Sequence, residues 1–380
     1  MCPLLFGYFD NAATTELCDA AKSAMTYALG LFGNPSSFHK AGQACGDMLE
    51  KARADIAAFI KAQESELYFT SGGTESDNLA IIGAAESLKR RGNRIITTAF
   101  EHSAVLGAAK ELENRGFEVI YLKPDESGTV NTEQFRQAIN DKTILVSCMS
   151  ANNETGAVLP IDTLKPLITA ANSPALLHVD ATQSFGKYPI YPKKLGIDLM
   201  TFSSHKIHGP KGVGALYKSK SARILPIIHG GEQQDGLRPG TEPTVLIAGF
   251  AAAVRDIGDM AENESRVRKL RDYIAERLIK IDGAVMNSPE NSSAYVLNVS
   301  LPGFKSETLL HYLDSRGICV SSGSACSKGK QSHVLTALGF DKKRADSALR
   351  ISFSKYNTTD EADLLINGVN DAVKTLIRVK

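Results

Sequence analysis

The sequence has almost no excess of charge of either sign: 43 Lys and Arg face 42 Asp and Glu, a net of +1. That balance excludes bulk electrostatic attraction as the means of holding nucleic acid or an anionic membrane, so neither is expected as a direct partner. No run of eighteen apolar residues occurs, which excludes a membrane-spanning helix. The opening stretch MCPLLFGYFDNAATT lacks a basic segment ahead of a long apolar core and meets an acid at Asp10, so no signal peptide is expected. The six cysteines (Cys2, Cys18, Cys45, Cys148, Cys319, Cys326) include no C-x-x-C pair and no histidine at zinc spacing. They read as free thiols of a reducing cytoplasm, with no metal site and no disulfide framework.

What is present is ordinary: 43% hydrophobic and 22% charged residues, with 31 Gly and 14 Pro in 380. A chain of this length buries roughly 75% of its unfolded surface and needs no covalent staple. Over the first 220 residues, helical spacing at Glu16 to Leu31 and Gly42 to Ile60 gives way to short apolar runs. The runs are Leu67–Phe69, Arg94–Thr98, Glu118–Leu122, Thr143–Met149, Ala175–Val179, Leu199–Phe202 and Val213–Tyr217. Continuous apolar runs are strands buried on both faces, so the pattern predicts an α/β fold with a mostly parallel sheet sandwiched by helices. After Gly249 the rhythm changes. A long charged helix (260–281), strands at 295–300, 318–321 and 348–353, and helices at 306–316 and 359–377 predict a smaller α+β domain. The expected division is 11–249 for the large domain, with 1–10 and 250–380 for the small one.

Ligands of open α/β sheets sit beyond the carboxyl ends of the strands, and that is where polar clusters follow the apolar runs. Ser71-Gly72-Gly73-Thr74 joins a strand to a helix, so its N–H groups suit an anion. Capping alone also accounts for such a turn, and it lacks the spacing of a Walker A loop or of G-x-G-x-x-G. Ser203-Ser204-His205-Lys206 ends another strand with a lysine among groups able to hold an anion, a setting in which an amine serves as nucleophile or base. His178-Val179-Asp180 ends a third with an acid. A carboxylate there could bind a metal, but no further His or acid stands at ligand spacing, and an N-cap role would account for Asp180 equally well. What unites Asp180, Lys206 and an anion cradle is pyridoxal 5′-phosphate: a Schiff-base lysine, a carboxylate at the pyridine nitrogen and donors at the phosphate. His102 then has a post as an aromatic stacked on the ring.

With these residues in view, the sequence resembles the fold-type I, class V aminotransferase-like enzymes, and among them the cysteine desulfurases of the NifS/IscS kind. The resemblance runs through Tyr8-Phe9-Asp10-Asn11-Ala12-Ala13-Thr14-Thr15, Gly33-Asn34-Pro35-Ser36-Ser37, the Thr70–Asn78 stretch, Glu101-His102 and Asn152-Asn153-Glu154-Thr155-Gly156. It continues through His178-Val179-Asp180, Ser204-His205-Lys206 to Gly214, Gly236 to Glu242, Ser321-Ser322-Gly323-Ser324-Ala325-Cys326 and Leu349-Arg350-Ile351-Ser352. It covers nearly the whole chain in order.

The resemblance implies Lys206 as the Schiff-base lysine, Asp180 on the pyridine nitrogen and Gln183 on the ring hydroxyl. Gly73, Thr74, Ser203 and His205 would hold the phosphate, with Thr241 reaching that of a second protomer, which implies a homodimer. Asn153 and Arg350, with Asn34 nearby, would hold the carboxylate of L-cysteine, a task suited to a planar guanidinium. Cys326, in a small polar run expected to form a mobile loop, would take the substrate sulfur as a persulfide and release L-alanine, with His102 shuttling protons. A sulfur-acceptor protein, for iron–sulfur cluster assembly or tRNA thiolation, would follow.

Two departures stand out. The stretch from Cys326 to Val334 is shorter and more basic than in housekeeping members, and their extended tail is missing, which tilts the expectation toward a specialised donor such as one serving tRNA thiolation. Selenocysteine lyase and class V aminotransferase activities share the same residues, apart from the thiol that a transaminase does not need.

Overall fold

In the computed structural model, which describes residues 7–125, 127–322 and 331–378, the apolar runs assemble into a seven-stranded sheet. Its order is Leu67–Thr70, Gly214–Lys218, Leu199–Ser203, Leu176–Asp180, Thr143–Met149, Arg94–Thr98 and Glu118–Leu122. All strands point the same way except Gly214–Lys218, which lies antiparallel between Leu67–Thr70 and Leu199–Ser203. The expected α/β class and mostly parallel sheet are therefore what the chain forms.

Alternation within the strands feeds two apolar cores, one on each face. Phe69, Ile96, Val146, Met200 and Ala215 enter one, while their neighbours Tyr68, Ile95, Leu145, Leu199 and Leu216 enter the other. Successive strand side chains point to opposite faces, so a run with no polar member has to be covered on both. Helix Gly73–Leu88 covers the second face, contributing Leu79, Ala80, Ile81, Ala84 and Ala85. Helices Lys40–Phe59, Ile161–Ala170 and Thr244–Arg255 cover the first, where Phe185 stacks on Phe202 at 4.2 Å between ring centroids. Thr244–Arg255 is apolar nearly all round, so it has no polar stripe from which a helical period could be read.

A third core lies under a three-stranded antiparallel sheet, Ala348–Ser352, Val296–Ser300 and Val285–Met286. Helices Met260–Leu278, Ser306–Asp314 and Thr359–Thr375 pack on it. Thr358 and Glu361 form a capping box at the start of Thr359–Thr375, an arrangement worth about 1 kcal/mol. Gly7–Tyr8 pairs in parallel with Ile318–Cys319, and Phe9 sits edge-on to Phe353 at 5.8 Å. The expected strand 318–321 stops at Cys319, because Ser321 turns to a different partner: it exchanges backbone hydrogen bonds with Arg350. Asp10 bridges to Ser352, and the chain then passes from this third core to the carboxyl edge of the large sheet.

Candidate active site

Five strand ends meet at that edge. Leu199–Ser203 runs into a single tight turn, Ser204–Lys206, which presents Lys206. Its Nζ donates to the carbonyl oxygens of Ala12 and Ala13, both at 2.7 Å. Gln183, buried after strand Leu176–Asp180, donates from Nε2 to the same Ala12 oxygen at 3.0 Å. The N-terminal segment thus supplies the acceptors that hold the lysine.

Beside Ser203 lies the start of helix Gly73–Leu88, with Gly72 at φ 151°, ψ −174°, a conformation essentially reserved for glycine. The backbone here is packed tightly: a Cβ on Gly214 would come within 2.7 Å of the Gly72 Cα. A Cβ on Gly73 would meet Thr182 Oγ1 at 3.2 Å and the Ser203 Cβ at 3.9 Å. That Thr182 hydroxyl is buried with no hydrogen-bond partner among the described residues, so it awaits a polar group from outside the chain. Thr74 is exposed on the first turn. His205 contacts Thr14 Oγ1 through Nδ1 at 3.1 Å, and burial together with the Lys206 and Lys211 charges pushes it down to about 4. A helix N-terminus, an orphaned hydroxyl, Ser203 and a neutral histidine beside a lysine fit the phosphate of pyridoxal 5′-phosphate.

Asp180 is buried at the end of its strand and accepts from the Thr182 N–H at 2.8 Å. Behind it His178 is wholly buried between Ser147 Oγ (2.9 Å) and Thr201 Oγ1 (3.0 Å), and burial pushes it down to about 4. Burial also drives the Asp77 carboxyl well above its usual range, and its Oδ1 lies 3.7 Å from His178 Nε2.

His102 caps helix Ser103–Asn114, its Nδ1 accepting from the Ala104 N–H at 3.2 Å. Burial holds it below the ordinary histidine value, partly opposed by Asp180, so the ring is neutral with its proton on Nε2. The preceding Glu101 is fully buried and accepts from Thr98 Oγ1 (2.6 Å) and the Met149 N–H (3.0 Å); burial pushes it up to about 8. It is a neutral strut under the His102 turn.

Arg350, also buried, lies on strand Ala348–Ser352. Its Nη2 donates to Asp10 Oδ1 at 2.8 Å and its Nη1 to the Asn153 carbonyl at 3.2 Å. Its Nε and the side-chain oxygen of Asn153 are buried without partners among the described residues. Asn153 and Arg350 are therefore together, with an edge of the guanidinium uncommitted.

Asn34 and Thr241 are exposed, and no hydrogen bond among the described residues ties either to the Lys206 cluster. Asn34 Oδ1 accepts from the Ser36 N–H instead. Cys326 lies outside the described residues. Its flanks are anchored separately: Ser321 on Arg350, and, beyond it, Ser332 and His333. Ser332 Oγ donates to Glu154 Oε2 at 2.6 Å, and His333 Nε2 donates to the Glu101 carbonyl at 2.8 Å. Sequence reasoning passed over Glu101, Glu154, His333 and Lys187 as site residues. Only Glu101 and Glu154 stood inside recognisable stretches; burial, which gives Glu101, Glu154 and Lys187 their character, and the Glu101 contact that places His333 have no one-residue signature.

The model of the Aminotransferase class-V family matches residues 7–365, and the chain belongs to that family. A curated relative, cysteine desulfurase IscS of Pasteurella multocida, is 43% identical over 379 residues, covering 97% of this chain and 93% of its own. A solved NifS-like protein superposes with a TM-score of 0.92 at 38% identity, covering 97% of this chain and all of that one. The solved structure of SspA in complex with cysteine reaches a TM-score of 0.81 at 34% identity over 93% of this chain and all of the other. Within the family the chain is a cysteine desulfurase of the NifS/IscS kind, and membership implies pyridoxal 5′-phosphate as cofactor.

Proposed function

We propose that the edge cluster performs this desulfuration with the following division of labour. Pyridoxal 5′-phosphate, when bound, supplies an electron sink for the α-carbon of L-cysteine. Lys206 holds the cofactor covalently and moves the proton at the substrate α-carbon; Asp180 keeps a proton on the ring nitrogen, and Gln183 donates to the ring oxygen. The Gly73 N–H, Thr74, Ser203 and His205 hold the phosphate, and Thr241 of the partner subunit completes the cradle in a homodimer. Arg350 and Asn153, with Asn34, hold the substrate carboxylate. His102, at the start of helix Ser103–Asn114, would lie against the cofactor ring and carry protons at the substrate thiol.

Cys326 acts as thiolate on the substrate sulfur. The Cβ–S bond breaks with its electron pair passing to the carbon, which takes up a proton; the new S–S bond makes an enzyme persulfide, and the carbon skeleton leaves as L-alanine. The persulfide then passes to an acceptor protein serving iron–sulfur assembly or tRNA thiolation, in a reducing compartment where the thiol stays available. Residues 11–249 form the cofactor-binding domain in this reading, and 1–10 with 250–380 the domain that carries Cys326; the separate third core supports such a division.

The single observation that carries the proposal is the convergence of Lys206, Gln183 and the Gly73 turn on one edge, with Asp180 buried at the end of the intervening strand. The test is incubation with L-cysteine, quantifying L-alanine and trapping the persulfide by alkylation and mass spectrometry. Alanine formed with Cys326 modified supports it. Turnover of selenocysteine alone, or amino transfer that requires a keto acid, overturns it.

A further inference from the structure

Four residues along the chain from Gln183 stands a second lysine that the reaction as described does not use. Lys187 is 7% exposed, and no carboxylate among the described residues pairs with it. Its Nζ donates to Gln183 Oε1 at 3.4 Å and lies 5.3 Å from the Tyr295 ring centroid. It shares a cavity with Lys206, His208 and Lys355, the last committed to Asp256. Burial and the Lys206 charge push it down to about 7. A long amine buried among cations is costly to keep, so its retention in this cavity calls for a task.

The hydrogen bonds define one. Lys187 reaches Gln183 Oε1, Gln183 Nε2 reaches the Ala12 oxygen, and Lys206 reaches that same oxygen. An amide has one acceptor end and one donor end, and its orientation follows from what surrounds it. Whether charged or neutral, Lys187 offers donors to Oε1, which turns the NH2 group toward Ala12 and Lys206. One amide hydrogen goes to Ala12, and the other is left for a ligand oxygen.

We propose that Lys187 is a positioning residue for the cofactor site: it fixes the amide of Gln183 so that a donor, not an acceptor, faces the ring oxygen of pyridoxal 5′-phosphate. This rests on the reading above that Gln183 meets that oxygen. Losing Lys187 leaves Oε1 buried without a partner and frees the amide to turn.

The experiment is a double-mutant cycle on cofactor binding to the cofactor-free protein, followed by fluorescence titration with pyridoxal 5′-phosphate, with the bound absorbance maximum as a second readout. Lys187→Met, close in length and volume, is expected to weaken binding roughly tenfold and shift the absorbance maximum. Lys187→Gln, which keeps a donor, recovers most of the loss. In a Gln183→Leu background Lys187→Met has no further effect. An unchanged affinity and spectrum in Lys187→Met, or an effect of the same size with Gln183 removed, overturns the proposal. Should Lys187→Met fail to fold, Lys187→Leu alone and in the Gln183→Leu background decides by the same comparison. Failure of wild-type protein to bind the cofactor would instead sink the functional reading, a distinct outcome.

Discussion

Lys206 and Gln183 donate to one and the same acceptor, the carbonyl oxygen of Ala12, at 2.7 and 3.0 Å. The two donors arrive from successive strand ends, and the acceptor arrives from the N-terminal segment that has just left the third core. Ala13 takes a second hydrogen bond from Lys206, so the amine is aimed before any ligand arrives, which is the preorganisation that covalent catalysis exploits.

Replacing Lys206 by alanine is expected to remove covalent cofactor attachment, seen as loss of the visible absorbance band, and to lower alanine release by at least about a thousandfold. Cys326→Ser separates the two halves of the chemistry: the band persists while persulfide and alanine formation from L-cysteine fall to background. Alanine release at the parent rate from Cys326→Ser would show that another group takes the sulfur.

Arg350 is expected to act on substrate affinity. A lysine there is a point charge without the planar fork that accepts a carboxylate along two parallel bonds. Arg350→Lys should raise KM for L-cysteine by roughly ten- to a hundredfold with little change in cofactor affinity. Arg350→Ala should in addition lower the melting temperature, because Asp10 and the Asn153 carbonyl lose a buried donor. Steady-state kinetics beside thermal unfolding separates these effects.

Acid sensitivity follows from His178, His205 and His208, each pushed down to about 4 by burial. An unfolded histidine titrates near 6.5, so as pH falls through that value the unfolded chain takes up protons that the folded chain refuses. Stability is complete above about pH 6.5 and declines toward pH 4, by at most about 3 kcal/mol for the wholly buried His178. Glu101, pushed up to about 8, works in the other direction, its contribution fading as pH climbs from about 4.3 through 8. Urea unfolding at pH 7, 6 and 5 should show the wild-type midpoint falling relative to that of His178→Gln; midpoints that run parallel would assign the acid limb to other groups.

Gly214→Ala tests the cradle without touching any donor. Its new Cβ would fall 2.7 Å from the Gly72 Cα and 2.8 Å from the Phe202 carbonyl oxygen, both backbone atoms, so the strand and the turn have to part. Cofactor affinity is expected to drop more than tenfold, with the far-UV circular dichroism preserved. Wild-type affinity in this variant would mean that the turn has slack the packing does not suggest.

Much of this site was legible in one dimension. Residues at the carboxyl ends of parallel strands must share an edge, so Asp180, Lys206, His102 and the Gly72-Gly73 turn could be gathered from their positions after apolar runs alone. The strands themselves were equally readable, since runs covered on both faces are mostly apolar, with few polar members such as His178. Helix Thr244–Arg255 was not, because an apolar surface all round hides its period. Nor was the strand stop at Cys319, which depends on Ser321 finding Arg350.

The amino-acid sequence by itself determined the layered α/β architecture and the set of chemically able side chains, because hydrophobic periodicity and strand-end placement are local properties of the chain. Only the tertiary structure decided the ionisation and orientation of those side chains: that Lys187 is buried against Gln183, that Glu101 is a neutral strut, and that Arg350 is shared between Asp10 and Asn153. Desolvation and hydrogen-bond partnership come from residues up to hundreds of positions away in the chain, and no window along the sequence contains them.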